Sequence, residues 1–209
     1  MSQLTLYIGN KNYSSWSFRA WLALKSIDLP FNEILIPLRR SDTKSNILKV
    51  SSSGFVPCLH HESIKIHDSL AISEYVSELC PKKNLFPADK HARAMARSIC
   101  AEMHSSFSNL RNEMPMDMNH REQKIPSDAT QNDINRILSI WKGIKEEFGE
   151  SGDFLFGSWS IADIFFAPVV SRFISYGVNT QGFQNYIETV CQNDLYQEWY
   201  NAAKTEITV

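Results

Sequence analysis

The pattern of apolar residues changes at about residue 80, and this change limits the folds open to the chain. Before it, short β-branched and apolar runs alternate with helical stretches. After Pro87 we find no convincing strand pattern, and apolar residues recur three or four positions apart, as on one face of a helix. Alternating strands and helices followed by helices alone predict a small mixed sheet covered by helices, joined to a helical bundle.

The first part predicts the element order βαβ followed by ββα. In that order, the predicted elements occupy residues 4–8, 16–27, 31–36, 55–60, 63–66 and 68–79. A tight turn at His61-Glu62 would join the last two strands. Residues 39–49 are polar, and one short helix is the most regular structure that we expect there.

The second part predicts long helices at residues 91–114, 134–148 and 160–175, with one or two more between 183 and 203. The helix at 160–175 is almost entirely apolar, so we expect it to be buried on all sides. Residues 80–87 carry a proline near each end, as a joint between domains does. We therefore predict a first domain at residues 1–80, a linker at 81–89 and an all-helical domain at 90–209.

The composition argues against several classes of function. Lys and Arg number 21 and Asp and Glu 23, so no basic surface for nucleic acid or an anionic membrane is expected. We see no long apolar run for a membrane span and no signal-peptide pattern, and we expect a cytoplasmic location. The four cysteines lie far apart without a Cys-x-x-Cys pair, so we expect no metal site and no dithiol redox motif.

Pro57 stands at the start of the predicted third strand, directly after Val56. A trans proline there would simply place this strand at a sheet edge, because proline lacks the backbone donor. A cis Val56-Pro57 bond would instead turn the chain sharply and present the backbone of Val56 to a ligand. Taken alone, these residues leave both possibilities open, and trans is by far the more common.

Asp68 and Ser69 begin a predicted helix directly after a strand. Free N–H groups at such a helix start suit a small carboxylate, and the side chain of Asp68 could hold an ammonium group beside it. The more common role of such a pair is to cap the helix.

Hydroxyl residues also gather at the start of the first helix, where Ser14, Ser15 and Ser17 precede Arg19. Capping needs only one serine, so the additional hydroxyl groups suggest a binding or catalytic site as well. In contrast, Ser160-Ile161-Ala162-Asp163 has the pattern of a capping box, which is structural on any interpretation.

In their order and spacing these four motifs resemble those of the glutathione S-transferase family, over essentially the whole chain. The resemblance implies a thioredoxin-like N-terminal domain, an all-helical C-terminal domain and a cis bond before Pro57. It also implies that Val56, Pro57, Asp68 and Ser69 bind glutathione, which would be the co-substrate. Val56 would pair its main chain with the cysteinyl part, and the acid-Ser pair would hold the γ-glutamyl end.

The run from Ser14 to Arg19 is most similar to the Ser-Ser-Cys-Ser-x-Arg motif of the zeta class, which includes maleylacetoacetate isomerases. Trp16 replaces the cysteine of that motif, and the loop before Ser14 is slightly longer. No cysteine lies among residues 1–57, which disfavours thiol-transferase chemistry of the kind that needs one at the first helix.

The resemblance implies an enzyme that activates the thiol of glutathione for attack on a small electrophile, by conjugation, isomerisation or peroxide reduction. Ser14 is the first candidate for the donor to sulfur, and Ser15 is the second. Tyr7, inside the first strand, is a lesser candidate. Arg19 either supports this site or pairs with an acid.

The electrophile should lie between the domains, against the first long helix of the second domain. His104, Phe107 and Arg111 fall on one side of that predicted helix, and Asn12 and Tyr13 precede the serines, so these five are candidates for its pocket. Taken singly, each of the three helix residues fits a solvated flank or a core aromatic slightly better. We expect the tryptophans, Trp16 included, to be packing residues.

Two alternatives stay open. Some relatives keep this fold as non-catalytic binding or regulatory proteins, and a narrower possibility is a true maleylacetoacetate isomerase. The resemblance also implies a homodimer, because family members usually pair the N-terminal domain of one chain with the helical domain of the other.

Overall fold

The N-terminal part forms a four-stranded sheet with helices packed on it, as predicted. The computed structural model describes residues 3–180 and 182–206. The elements of this part are β1 (Leu4–Ile8), α1 (Ser15–Ser26), β2 (Phe31–Leu35), α2 (Thr43–Leu48), β3 (Cys58–His61), β4 (Ile64–His67) and α3 (Ser69–Leu79). The strand order is β2-β1-β3-β4, and β1 runs parallel to β2 and antiparallel to β3. The parallel pair is possible because α1 forms the crossover between its strands.

Two boundaries around the β3–β4 hairpin differ from the prediction. The third strand begins at Cys58 rather than at residue 55, because the Val56-Pro57 bond is cis and turns the preceding residues out of the ladder. The turn lies at Glu62-Ser63 rather than at His61-Glu62, and Glu62 has a φ of 54°, in the left-handed region that tight turns use.

The C-terminal part is helical. Its helices are α4 (Lys90–Ser105), α5 (Ser108–Glu113), α6 (Asp128–Phe148), α7 (Ile161–Ser175), α8 (Gln184–Gln192) and α9 (Asp194–Thr205). β pairing in the described residues of this part is limited to isolated bridges between residues 154 and 158.

The prediction of one helix over residues 91–114 is wrong, because the chain breaks between α4 and α5. Phe107 has a φ of 65°, and its side chain is buried. The guanidinium of Arg111 donates to the carbonyls of Met103 and Ser106, which satisfies the end of α4. The carboxylate of Asp133, on α6, accepts the N–H of Leu110 at 2.9 Å, within α5. The side chain of Arg111 therefore closes one helix, and a carboxylate from α6 holds the next, inside a continuous apolar pattern.

The predicted capping box fixes the start of α7, which packs against both α1 and α4. The carboxylate of Asp163 accepts the N–H of Ser160 at 2.9 Å. Burial raises the pKa of Asp163 to about 6, although hydrogen bonds to the carboxylate oppose this change. α7 is buried along almost its whole length, and one continuous apolar core joins the two parts of the molecule.

None of the helices described is both long enough and apolar enough to cross a membrane. The four cysteines are free thiols, and Cys58 and Cys100 are buried.

Candidate functional site

A cavity of about 480 Å³ opens where the two parts of the molecule meet. Its wall is formed by the first turn of α1, the segment before β3, the start of α3 and the end of α4. The residues lining it are Trp16, Ser53, Phe55, Val56, Pro57, His67, Asp68, Ser69, His104 and Ser105. The cavity therefore joins three of the four motifs singled out in the sequence, and α4 adds His104.

Val56 lies beside this cavity with its main chain outside the β-sheet. The β3 ladder begins at Cys58, opposite Tyr7 of β1, so the sheet does not use the N–H and C=O of Val56. The cis bond to Pro57 brings both residues to the cavity wall. An extended ligand could add there as a further strand.

Asp68 caps α3 and is held on both of its carboxylate oxygens. Oδ1 accepts the N–H of Leu70 at 2.8 Å, and Oδ2 lies 3.0 Å from Nε2 of His104. Burial raises the pKa of Asp68, but the hydrogen bonds from His104 and Leu70 outweigh burial and hold this pKa below its usual value. The side chain is therefore an anion near neutral pH, and part of it stays exposed to the cavity.

Ser69 follows Asp68 and is only 1% exposed. Within residues 3–180 and 182–206 its Oγ has no hydrogen-bond partner. A buried hydroxyl without a hydrogen-bond partner costs about 1–3 kcal/mol. A bound ligand that forms a hydrogen bond with this hydroxyl would remove that cost. The free N–H groups of the first turn of α3 lie beside it and favour an anion.

Ser14 and Ser15 differ in the bonds that their hydroxyls make. Ser14 caps α1: its Oγ accepts the N–H of Ser17 at 3.3 Å and donates to the Oγ of Ser17 at 2.8 Å. The Oγ of Ser15 accepts a hydrogen bond from Nη2 of Arg172, on α7, at 3.3 Å. Both serines are buried. Within the motif from Ser14 to Arg19, Trp16 is the residue that lines the cavity.

Two cationic side chains lie against the ring of Trp16. The guanidinium of Arg19 lies 4.9 Å and that of Arg111 4.6 Å from the ring centroid. The ring of His104 meets the same ring edge-on at 5.1 Å. The expectation that Trp16 only packs is therefore incomplete, since it separates the cavity from two cations.

Three arginines come together behind this wall: Arg19 and Arg172 are buried, and Arg111 is partly buried. Arg19 donates from Nε to the carbonyl of Phe165 at 3.0 Å, and its Nη1 and Nη2 have no partner among the described residues. Burial, followed by repulsion from Arg111 and Arg172, lowers the pKa of Arg19. Burial likewise lowers the pKa of Arg111 to about 10 and that of Arg172 to about 9. Burial disfavours the charge of these guanidinium groups, so an anion bound at the start of α1 would stabilise them.

Of the five residues predicted for the electrophile pocket, the cavity wall contains His104, and Asn12 is buried away from that wall. Phe107 lies in the core, because the break after α4 removes it from the helix face that it was expected to share. Arg111 is turned toward the end of α4 and the ring of Trp16. Tyr13 stacks under the guanidinium of Arg39 at 4.1 Å.

Tyr7, the lesser candidate, packs against His60 at 4.8 Å and does not contribute to the cavity wall in the described structure. Ser53, Phe55, His67 and Ser105 also line the cavity, although the sequence patterns did not predict them as lining residues. Phe55 and His67 directly precede the motifs at Val56 and Asp68, and this position in the sequence could have indicated that they line the cavity. No such signal marks Ser105, whose position depends on where α4 ends.

Among the described residues, no group of three or more His, Cys, Asp or Glu side chains is arranged to hold a metal ion.

Known proteins resemble this chain in sequence and in structure. A family model described as "Glutathione S-transferase, N-terminal domain" matches residues 13–79. Maleylacetoacetate isomerase from Rattus norvegicus is 30% identical over 172 residues, which cover 80% of this chain and 76% of the relative. Glutathione S-transferase 1 from Dianthus caryophyllus is 27% identical over 187 residues, covering 87% and 82% respectively.

Among solved structures, a glutathione transferase homolog from Burkholderia, crystallised with bound glutathione, superposes with a TM-score of 0.75. Its sequence is 26% identical, and the match covers 99% of this chain and 100% of that one.

Proposed function

The chain belongs to the glutathione S-transferase family of enzymes, near its zeta class, and on that premise we propose that its cavity binds glutathione and activates the thiol for attack on a small electrophile. One observation carries the proposal: a single cavity joins the cis Val56-Pro57 turn, the Asp68-Ser69 pair and the first turn of α1. These are the groups that a γ-glutamyl peptide with a reactive thiol requires.

The γ-glutamyl end would lie at the start of α3. The ionised carboxylate of Asp68 receives the amino group, and the unpartnered Oγ of Ser69 donates to the carboxylate. The main chain of Val56 pairs with the cysteinyl part, as an added strand does. The ammonium group then faces an opposite charge and the carboxylate a hydrogen-bond donor, both of which the protein already holds in place.

Activation of the thiol requires a modest free energy. A free thiol has a pKa of about 8.5, and lowering it by about two units takes about 2.7 kcal/mol. A hydrogen bond to a charged group supplies about 1.5–3 kcal/mol, and the start of α1 adds about 0.3–1 kcal/mol. One hydroxyl at the head of α1, with the positive charge behind Trp16, would therefore be enough.

Ser15 is the better placed of the two serines for this role. The proton of Ser14 is already donated to Ser17, whereas the oxygen of Ser15 receives a bond from the cationic Arg172. That bond polarises the O–H of Ser15, which makes it a stronger donor to sulfur. Ser14 then serves as the cap that holds the first turn of α1 in place.

Calorimetry with glutathione, combined with the ultraviolet absorbance of the thiolate across pH, tests the proposal. We expect binding, with a pKa of the bound thiol well below about 8.5. Binding without that decrease would mean that the protein holds glutathione without activating it. No binding would favour the alternative of a non-catalytic binding or regulatory protein.

A second candidate activity is the isomerisation of maleylacetoacetate, favoured by the 30% identity to the rat enzyme of that name over 76% of its length. Turnover of that substrate, lost in a Ser15→Ala variant, would support it. Turnover of other electrophiles with none of maleylacetoacetate would exclude it.

The family resemblance also supports a homodimer in the cytoplasm, with the domains divided at residues 81–89. The cap of α4 at Asp89 agrees with the end of that linker, because α4 begins at the next residue. Sedimentation equilibrium would test the homodimer, and a monomer over the accessible concentration range would contradict it.

A further inference from the structure

The β1–α1 loop, residues 9–14, leads directly into the serine motif and is bound by distant parts of the chain. The N–H of Lys11 donates to Oε1 of Glu206 at 2.8 Å, and the N–H of Asn12 donates to Oε2 of the same carboxylate at 3.1 Å. The carbonyl of Lys11 accepts from Nε1 of Trp199 at 3.0 Å, and the carbonyl of Asn12 accepts from the N–H of Met118 at 3.2 Å. All four main-chain groups of two successive residues are therefore bound by the C-terminal part.

Glu206 is well placed to control this loop. It follows the last turn of α9, whose Trp199 stacks on Phe18 of α1 with ring centroids 4.9 Å apart. Hydrogen bonds between N–H groups and a carboxylate are stronger than those between neutral groups. A carboxylate that receives two neighbouring N–H groups also fixes their direction, which a single acceptor does not.

The neighbouring contacts reinforce the same arrangement. The N–H of Asn119 donates to Oδ1 of Asn12 at 3.1 Å, and the side-chain amide of Asn119 donates to the carbonyl of Ala203 at 3.3 Å. The ammonium of Lys11 lies 2.6 Å from a carboxylate oxygen of Glu33, on β2. The loop is thus held between the sheet and α9, two residues before Ser14.

We infer that Glu206 is a positioning residue for the thiol-activating serines. Its carboxylate holds Lys11 and Asn12, and the N–H of Ser14 in turn donates to the carbonyl of Asn10 at 2.8 Å within the same loop. The inference rests on the proposed function for its catalytic consequence. Asp68 and Ser69 lie on α3 and share none of these bonds, so the binding of the γ-glutamyl end is independent of Glu206.

The test compares Glu206→Gln with Glu198→Gln. Glu198 lies on α9 as well, but its exposed carboxylate pairs with Lys25 on the surface, which makes it a matched control. In Glu206→Gln we expect faster amide exchange at Lys11 and Asn12, a kcat about tenfold lower and an unchanged KM for glutathione. The pKa of the bound thiol should rise. Glu206→Asp keeps the charge and should restore part of the kcat, and Glu198→Gln should change none of these quantities.

Exchange rates at Lys11 and Asn12 that match wild type would overturn the inference. Faster exchange with unchanged kcat and unchanged thiol pKa would also overturn it, because the loop would then be held without consequence for the serines. Should wild type neither bind nor turn over glutathione, the proposed function fails, and the exchange rates alone decide whether Glu206 holds the loop. Melting temperatures of all three variants show whether each is folded under the conditions of the assay.

Discussion

The two ends of the cavity are built in different ways. At the α3 end, Asp68 and Ser69 are neighbours in sequence, and a buried hydroxyl still lacks a partner. At the α1 end, Ser14 and Ser15 already make hydrogen bonds, and the charge around them comes from α1, α5 and α7. The α3 end therefore rests on two adjacent residues that His104 of α4 supports, whereas the charge at the α1 end is assembled from three helices. Ligand binding and thiol activation should be separable by mutation.

The largest expected effect separates the two serines. Ser15→Ala should raise the pKa of the bound thiol and reduce kcat about tenfold to hundredfold, because it removes a hydrogen bond to a charged sulfur. Ser14→Ala should instead lower the free energy of unfolding by about 1 kcal/mol through loss of the cap. Thiolate absorbance and denaturant unfolding of both variants measure this. The opposite pattern would assign activation to Ser14.

The α3 end should respond in affinity rather than in chemistry. Asp68→Asn removes the charge opposite the ligand's amino group, and we expect glutathione to bind about tenfold to hundredfold more weakly. The pKa of the bound thiol should stay as in wild type at saturating glutathione. Calorimetry and thiolate absorbance provide the two readouts, with Glu74→Gln, on α3 but paired with Arg97 at the surface, as control. A raised thiol pKa in Asp68→Asn would show that the two ends are coupled.

A smaller effect should follow from the positive charge behind Trp16. Arg111→Met should raise the pKa of the bound thiol and lower kcat several-fold, because a cation near the thiolate is removed. Arg136→Met is the control, since Arg136 is exposed and pairs with Glu102 on the surface. Equal thiol pKa values in both variants would show that Arg111 does not stabilise the thiolate, which would leave that role to the hydroxyl and the start of α1.

The smallest expected effect is a change in pH dependence at the α3 end. The hydrogen bond from His104 helps to hold the pKa of Asp68 below its usual value, so the contribution of the carboxylate is lost only as pH falls through that lowered pKa. In His104→Gln the pKa of Asp68 should rise, and glutathione affinity should begin to fall at a higher pH than in wild type. Calorimetric titrations between neutral and acidic pH measure this. His91→Gln, at the exposed start of α4, is the control, and coincident profiles would contradict the role of His104.

The parts of the site that could be predicted are those set by neighbouring residues. Asp68 was expected at a helix start because a strand pattern ends and a helix pattern begins beside it, and the structure places it at the cap of α3. The capping box at Ser160 and Asp163 was recognisable for the same reason. The cis bond before Pro57 was not readable from neighbouring residues, and the family resemblance predicted it.

The parts that could not be predicted depend on residues far apart in the chain. The break after α4 is stabilised by Asp133 of α6, together with the nearby side chain of Arg111, and the hydrophobic periodicity does not reveal those hydrogen bonds. It moved Phe107 into the core and left His104 at the cavity. The contacts of Trp16 were not predicted either, because its neighbours His104 and Arg111 lie 88 and 95 residues further along the chain.

The sequence by itself determined the order of strands and helices, the change to an all-helical second part and the local motifs at the two helix starts. Hydrophobic periodicity and capping act over a few residues, so a linear pattern is enough to reveal them. The tertiary structure alone decided which hydrogen bonds Ser14 and Ser15 make, where α4 ends and what holds the β1–α1 loop. Those outcomes depend on burial and on charged groups such as Arg172 and Glu206, which folding brings close to residues far away in sequence.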